Sequence, residues 1–300
     1  MRLSKRKKQN THDTGYDINR TKVQEVWHQF KKNRGAVFCL VIVVLVVLIG
    51  IFSGVLVSYE GQVTKINGSL RLAAPSLQHP FGCDELGRDM FARVLYGTRY
   101  SLIIGFSSAL IALVLGEILG VTAGYFGGLW ETLVMRFTDI WSAIPITLLA
   151  VILAASMGTG MVSLIVALGV ASVASFTRMA RATVLTVIGN EYIEAARAAG
   201  ASNFSIIVNH IIPNALSPMV VQTTMQVATS IVQAAAMSFI GLGVPVPTPE
   251  WGTLLSAGRT YMRNSPHLTL FPGLAILITV LAINVVGDGL RDALDPKLKR

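Results

Sequence analysis

The chain has 300 residues, of which 52% are hydrophobic and only 14% are charged, and its formal net charge at pH 7 is +9. Its mean hydropathy of +0.59 excludes an ordinary soluble domain and predicts a membrane protein. The two cysteines, Cys39 and Cys83, fall in a predicted span and a predicted outer loop, so we expect no disulfide between them.

A basic tail, residues 1–35, precedes an uncharged stretch over residues 36–57. Because about 20 residues of helix cross the hydrocarbon core, residues 36–57 are predicted to form the first transmembrane helix. A cleaved signal peptide is disfavoured, since its apolar region has only roughly 7 to 15 residues. Beside a spanning helix, the tail indicates a solvated segment or contact with anionic lipid, and we expect no nucleic-acid partner.

Five further apolar stretches follow, each long enough to span the bilayer or nearly so. The predicted fold class is therefore all-α, a polytopic membrane protein with six transmembrane helices, an outer loop at 58–100, a core at 101–290 and a tail at 291–300. Of the 25 Lys and Arg residues, 18 would lie inside, so the positive-inside rule places both termini in the cytoplasm. The five stretches are 101–125, 137–157, 161–176, 218–242 and 268–286.

Two patterns before the third span bear on packing. In the outer loop, Asp89 and Arg93 have the i,i+4 spacing of a helical ion pair. In the second span, glycines at positions 116, 120 and 124 form a flat stripe against which another helix can pack closely. Glu117 lies in the same span, and we expect it to form a structural hydrogen bond.

Motifs for covalent chemistry are missing from the sequence. It contains no phosphate loop, no HExxH or CxxC metal spacing and no GxSxG nucleophile turn, and its five histidines follow no repeating ligand interval. We therefore expect a chain that is not an enzyme, has no catalytic residue, metal or cofactor of its own, and takes its energy from outside.

A mostly polar segment, residues 190–213, lies between the fourth and fifth spans, and we call it the island. Its first part, NEYIEAARAA, is a strong helix former in which Glu194 and Arg197 are spaced to pair. Gly200 is predicted to end this helix, and Ser202 to cap a second one.

The second helix of the island is predicted to be amphipathic and to stop at Pro213. Its apolar stripe consists of Phe204, Ile207, Val208, Ile211 and Ile212. Such a helix pair either rests on lipid or on the protein's own bundle, or presents a knob to the groove of a cytosolic partner.

The island resembles the EAA loop in the membrane subunits of ATP-binding-cassette importers. The resemblance is carried by Glu194-Ala195-Ala196, by Gly200, and by the run from His210 to Pro213. Stretches at 79–102, 176–182, 238–255 and 284–299 are similar to the same family, most closely to the second, C-type permease of dipeptide and oligopeptide importers.

This resemblance implies a permease subunit that moves peptides across the plasma membrane. It would work with a second permease subunit, two ATPase subunits that bind the ATP, and an extracytoplasmic peptide-binding protein. The island would be the coupling helix that docks in a cleft of the ATPase. The implied coupling residues are Glu194, Ala195, Ala196, Gly200, Phe204, Ile207, His210 and Pro213.

The predicted fifth span carries a polar stripe, five side chains that project within roughly 100° of one another on a helix. These side chains either hydrogen-bond neighbouring helices or line a water-filled path for a peptide, and both interpretations stand. The five residues are Gln222, Gln226, Thr229, Ser230 and Gln233.

Three other functions compete with peptide import. The same family includes permeases for nickel chelates. A gradient-driven secondary transporter is also a candidate, although we find neither broken helices with ion-coordinating groups nor inverted repeats. The last alternative is a membrane scaffold whose island recruits a cytosolic partner without transport.

Overall fold

The structure is a computed structural model that describes residues 22–294, and this part of the chain is helical without strands. Short π-helical turns at Tyr59–Val63 and Ile207–Ile211 and short 3-10 turns at Gly68–Leu70 and Arg259–Tyr261 connect or extend the α-helices. The α-helices are α1 (Lys22–Lys32), α2 (Arg34–Leu56), α3 (Met90–Phe126), α4 (Gly128–Ala143), α5 (Ile146–Met157), α6 (Met161–Val187), α7 (Glu191–Ala198), α8 (Asn203–Ile206), α9 (Ile212–Phe239), α10 (Trp251–Gly258) and α11 (His267–Leu294).

Five continuous helical segments in residues 22–294 are long and apolar enough to cross a membrane: α2, α3, α6, α11, and the run Asn203–Phe239 that ends with α9. A sixth span exists only as the pair α4 and α5, which meet at 89°. The stretch predicted as the third span, 137–157, is therefore two helices that meet at a bend and not one continuous helix. Pro145 explains the break, because it lacks an N–H and forces Ile144 into an extended conformation.

Helix α3 begins at Met90, well before the predicted start of the second span at residue 101, because the Asp89 side chain caps it by accepting from the N–H of Ala92 at 2.8 Å. Its 37 residues extend over about 55 Å, so it reaches beyond the hydrocarbon core. Helix α6 likewise continues to Val187 and α11 to Leu294, past their predicted ends.

Helix α3 is the centre of the bundle and contacts α2, α6 and α9. Its glycine stripe lies directly against α6, as predicted. A Cβ atom at Gly116 would overlap the Phe176 side chain, and one at Gly120 would overlap the carbonyl oxygen of Thr177. The absence of side chains at these positions is what lets the two helices approach so closely.

Glu250, which immediately precedes α10 and is 1% exposed, connects the first third of α3 to the last turn of α9. Its carboxylate accepts hydrogen bonds from the hydroxyls of Ser101 and Ser238, at 3.2 and 2.9 Å, and from the N–H groups of Gly252 and Thr253, both at 2.8 Å. The Thr253 hydroxyl donates to it as well, at 3.2 Å. One buried carboxylate thus satisfies five donors from three helices and fixes the short helix α10 in place.

A second polar cluster precedes α3, and it corrects the predicted pair of Asp89 with Arg93. Asp89 instead contacts Nδ1 of His79 at 2.6 Å. Arg93 is buried, donates to the Val63 carbonyl at 3.0 Å and lies 3.5 Å from the Asp84 carboxylate. Both carboxylate oxygens of Asp89 are already engaged, one in capping α3 and the other in the contact with His79. Arg93 therefore pairs with the Asp84 carboxylate.

Cys83 lies in the same cluster and is fully buried. Burial raises the pKa of its thiol to about 11, and the negative charges of Asp89 and Asp84 act in the same direction. Cys39 lies in α2, and both cysteines are free thiols.

Candidate coupling site and polar stripe

The first helix of the island, α7, carries acidic residues where its dipole favours them. Glu191 and Glu194 lie in the first turn and Arg197 in the last turn. Ile193 is the one buried residue of this helix, while Glu194 and Ala195 are exposed and Ala196 is half-buried. Helix α7 therefore buries only the Ile193 side chain completely and leaves Glu194 and Ala195 of its EAA motif exposed.

The glycine turn and the second cap are present where the sequence predicts them. Gly200 has φ +80°, and the N–H of Ala201 donates to the carbonyl of Ala196 at 3.0 Å. This 6→1 bond is the Schellman arrangement, which requires the left-handed conformation that glycine adopts without strain. The Ser202 hydroxyl then caps α8 by accepting from the N–H of Ser205 at 3.2 Å.

The second helix of the island differs from its prediction in two respects. Its apolar residues do not share one face, because Phe204 is 76% exposed whereas Ile211 is fully buried, and Ile207 is intermediate. The helix also does not stop at Pro213, which lies in the first turn of α9, where a missing N–H is tolerated. The π-helical turn at Ile207–Ile211 changes the register and joins α8 to α9 without a break.

Side chains of α3 hold the island against the bundle. The Tyr125 hydroxyl donates to Oδ1 of Asn203 at 2.8 Å, and the Arg197 guanidinium lies 5.4 Å from the centre of the Tyr125 ring. Arg197 therefore contacts this ring, and it forms no ion pair with Glu194 within residues 22–294. Ile193, Ile206 and Ile211 are buried in one apolar cluster that also includes α3 and α6 residues.

The far end of the island is tied to its beginning through Asn214. The Asn214 amide donates to the His210 carbonyl at 2.6 Å and to the Tyr192 hydroxyl at 3.3 Å. The His210 ring is half-buried, with its centroid 6.3 Å from that of Tyr192, and Pro213 is exposed. These contacts make α7 and the start of α9 one connected unit.

The outward surface of the island combines charge with one protruding apolar side chain. Glu191, Glu194 and Ala195 are exposed on α7, and Phe204 is exposed just beyond the Gly200 turn. Burying an aromatic side chain of this size in a partner contributes on the order of 1.5 to 3 kcal/mol before binding costs. This arrangement suits docking into a cleft.

The polar stripe lies on α9, but its five side chains do not share one environment. Gln226 is buried and donates to the Ser172 hydroxyl at 2.8 Å and to the buried Ser230 hydroxyl at 3.1 Å. The bond to Ser172 joins α9 to α6. Thr229 is exposed, and Gln222 and Gln233 are half-buried. The exposed part of the stripe is therefore narrower than the sequence pattern predicts.

Two family models match the chain. "Binding-protein-dependent transport system inner membrane component" matches residues 116–300, which include α4 to α11 and most of the bundle. "N-terminal TM domain of oligopeptide transport permease C" matches residues 21–75, which include α1 and α2. The chain is a member of this family of binding-protein-dependent importer permeases. As a permease subunit of an ATP-binding-cassette importer, it is a transport protein and not an enzyme.

Curated relatives support the same assignment along nearly the whole permease. The dipeptide transport system permease protein DppC of Alkalihalophilus pseudofirmus is 43% identical over 92% of this chain and 90% of its own length. The glutathione transport system permease protein GsiD of Escherichia coli O157:H7 is 42% identical over 94% of this chain and 93% of its own length.

A solved structure is similar to the permease in fold. The MetNI methionine transporter, in an inward-facing conformation, has a chain that aligns with a TM-score of 0.57 and 23% identity, over 69% of this chain and 98% of that chain. This likeness supports the helical membrane fold and nothing more specific.

The permease has a large apolar groove between α2, α3, α9 and α11, with a volume of about 580 Å³. Glu117 borders this groove, and one of its carboxylate oxygens is buried without a hydrogen-bond partner in residues 22–294. The structural hydrogen bond predicted for Glu117 is thus not formed within the described part of the permease.

Several contacts between residues far apart in the chain have no local sequence signal. Arg181 of α6 donates from Nε to Glu131 of α4 at 2.8 Å, and Arg178 donates to the Ser142 hydroxyl at 2.6 Å. The partners in each case lie more than 30 residues apart in the chain, as do Tyr125 and Asn203. Charged residues near helix ends were visible in the sequence, but their partners were not.

Proposed function

We propose that this permease is the C-type membrane subunit of an ATP-driven importer for dipeptides or oligopeptides in the plasma membrane. The observation that carries the proposal is the 43% identity, over 92% of the chain, with a permease named for dipeptide transport. The relative named for glutathione, itself a small peptide, points to the same class of cargo. Neither name favours a nickel chelate or a gradient-driven mechanism.

The island is the proposed coupling site. Exposed Glu194, Ala195 and Phe204 enter a cleft of an ATPase subunit, while Ala196, Ile207, His210 and Pro213 flank them and Gly200 sets the turn between the two helices. The support is geometric: the same segment that is exposed outward is anchored inward by Ile193 and by the Tyr125–Asn203 hydrogen bond. A displacement of the island is therefore passed to α3 and α6 and tilts the bundle as a rigid body.

Both termini and the island are proposed to face the cytoplasm, since the excess of Lys and Arg lies on that side. Two ATPase subunits there bind and hydrolyse the ATP, so this chain needs no cofactor. A second permease subunit completes the path, and an extracytoplasmic binding protein delivers the peptide. Gln222, Thr229 and Gln233 of α9 are the proposed polar contacts along the path.

Purification of the tagged permease from its native membrane, followed by reconstitution into vesicles with the binding protein, tests this function. We expect a phosphate-loop ATPase and a second permease to accompany it, and we expect ATP-dependent accumulation of members of a mixture of di- to pentapeptides, measured by mass spectrometry. A protein that came out alone and accumulated peptides only with an ion gradient would contradict the proposal and support the secondary-transporter alternative.

A further inference from the structure

A second large cavity lies on the face of α9 that is turned away from the apolar groove. It has a volume of about 660 Å³ and lies at the island end of the bundle, between α6, α9 and α11. We call it the inner vestibule; its lining residues fall within 179–186, 214–225 and 291–294. The volume falls in the range of roughly 300 to 1,000 Å³ that is usual for small-ligand pockets.

The lining of the inner vestibule is more polar than that of the apolar groove. Half of its twelve lining residues are polar or charged, in contrast to the apolar groove, where Glu117 and two threonines are the exceptions. Three of these polar side chains form no hydrogen bond or ion pair within residues 22–294: Ser217, Gln222 and Arg291. They are free to bind a ligand.

Arg291 supplies the only charge among the lining residues. It is exposed in the last turn of α11, and its neighbours Asp288 and Asp292 do not line the cavity. A guanidinium is well suited to a carboxylate, because its planar fork donates two parallel hydrogen bonds. Amide and hydroxyl donors beside it can add further hydrogen bonds to the same ligand. The free groups of the vestibule thus favour an anionic, hydrogen-bonding ligand.

We propose that the inner vestibule binds the transported peptide by its terminal carboxylate, with Arg291 as the residue that receives it before release. This inference rests on the proposed function as a peptide importer. Every linear peptide carries that carboxylate whatever its side chains, so recognition there does not restrict the cargo sequence. Gln222 belongs both to the vestibule and to the polar stripe, so the vestibule continues the proposed path.

The vestibule is also connected to the island. Asn214 is a lining residue, and its amide bonds to the His210 carbonyl and the Tyr192 hydroxyl, at 2.6 and 3.3 Å. Movement of the island on ATPase docking therefore shifts one wall of the cavity. Binding and release of the carboxylate are thereby linked to the nucleotide cycle.

The test uses the full complex in lipid nanodiscs without nucleotide, with Cys39→Ser and Cys83→Ser so that Ala182→Cys is the only thiol of this chain. Ala182 is exposed and lines the vestibule without a polar side chain. The rate of alkylation by a water-soluble maleimide is measured against increasing trialanine or trialanine amide. We expect trialanine to halve the alkylation rate at a concentration about tenfold lower than trialanine amide does, because only the free carboxylate forms charge-assisted hydrogen bonds with Arg291.

Arg291→Gln should abolish the difference between acid and amide, and Arg291→Lys should retain part of it. Arg136→Gln, which changes an exposed arginine of α4, serves as the matched control and should leave the difference unchanged. Equal protection by acid and amide, or no protection, would overturn the proposal. Protection by anionic lipid alone, in nanodiscs compared with zwitterionic lipid, would assign the cavity to a lipid headgroup and also overturn it.

Failure of the vestibule inference can be distinguished from failure of the proposed function by measuring ATP-dependent uptake of the peptide mixture by the unmodified complex. Uptake without a difference between acid and amide would contradict the inner vestibule alone. Absence of ATP-dependent peptide uptake would contradict the proposed function, and the vestibule inference with it.

Discussion

The turn between α7 and α8 depends on the left-handed backbone conformation of Gly200. A Cβ at this position would meet no atom within 4 Å, yet φ is +80°, so a β-branched side chain is strained by the backbone and not by a clash. Gly200→Val should cost about 1 to 3 kcal/mol locally and abolish peptide uptake, while the amount of permease in the membrane stays normal. Uptake in vesicles and immunoblotting measure the two quantities.

The matched control for this change is Gly189→Val in the turn before α7, which also has open space around it but no left-handed φ. It should leave uptake near the unmodified level. Normal uptake by Gly200→Val, or an equal loss in both variants, would remove the turn from the coupling mechanism.

Glu250 is a second residue for which we predict an effect, in this case on the thermal stability of the permease and not on coupling. Glu250→Ala leaves the Ser101 and Ser238 hydroxyls and two N–H groups without their acceptor, and each buried unsatisfied group costs about 1 to 3 kcal/mol. We expect a marked fall in the thermal midpoint of the detergent-solubilised permease. Glu60→Ala, at an exposed acidic residue, should not change it. A midpoint equal to that of the control would show that the carboxylate is dispensable.

At the scale of elements, the connection between α3 and the island decides how motion is transmitted. Tyr125→Phe removes the hydrogen bond to Asn203, worth about 0.5 to 1.5 kcal/mol, but keeps the ring beneath Arg197. We expect ATP hydrolysis by the complex to continue while fewer peptides are transported per ATP. Tyr100→Phe, near the other end of the same helix, is the control. Equal transport-to-ATP ratios in both variants would contradict a role for this contact.

The elements also show why the sequence predicted some features and not others. Local signals predicted the apolar spans, the glycine stripe of α3, the Gly200 turn and the Ser202 cap, because each is encoded within one continuous stretch of the sequence. The π-helical turn at Ile207–Ile211 leaves no composition signal, so Pro213 was wrongly predicted to end the helix. The Gln226–Ser172 bond depends on which helices become neighbours, which periodicity alone does not reveal.

For the whole molecule, the proposed rigid-body change predicts which side chains of α9 meet water in each nucleotide state. Gln226 is buried against α6, whereas Thr229, less than one turn away, is exposed. In the background without native cysteines, Thr229→Cys should react with a water-soluble thiol reagent at a rate that changes several-fold between nucleotide-free and ATP-trapped complexes. Gln226→Cys should stay protected in both states, which makes it the internal control for a bundle that tilts as a unit.

Of the two cysteines removed from this background, Cys83 would add little labelling even if it were retained. The Cys83 thiolate forms only as the pH approaches about 11, so at neutral pH this buried thiol stays protonated and unreactive. If Thr229→Cys reacted at one rate in every state, α9 would not border an alternating path. If Gln226→Cys became reactive on ATP binding, α6 and α9 would separate, and the bundle would rearrange internally instead of tilting. The two reaction rates together therefore decide between rigid-body tilting, internal rearrangement and a path that avoids α9.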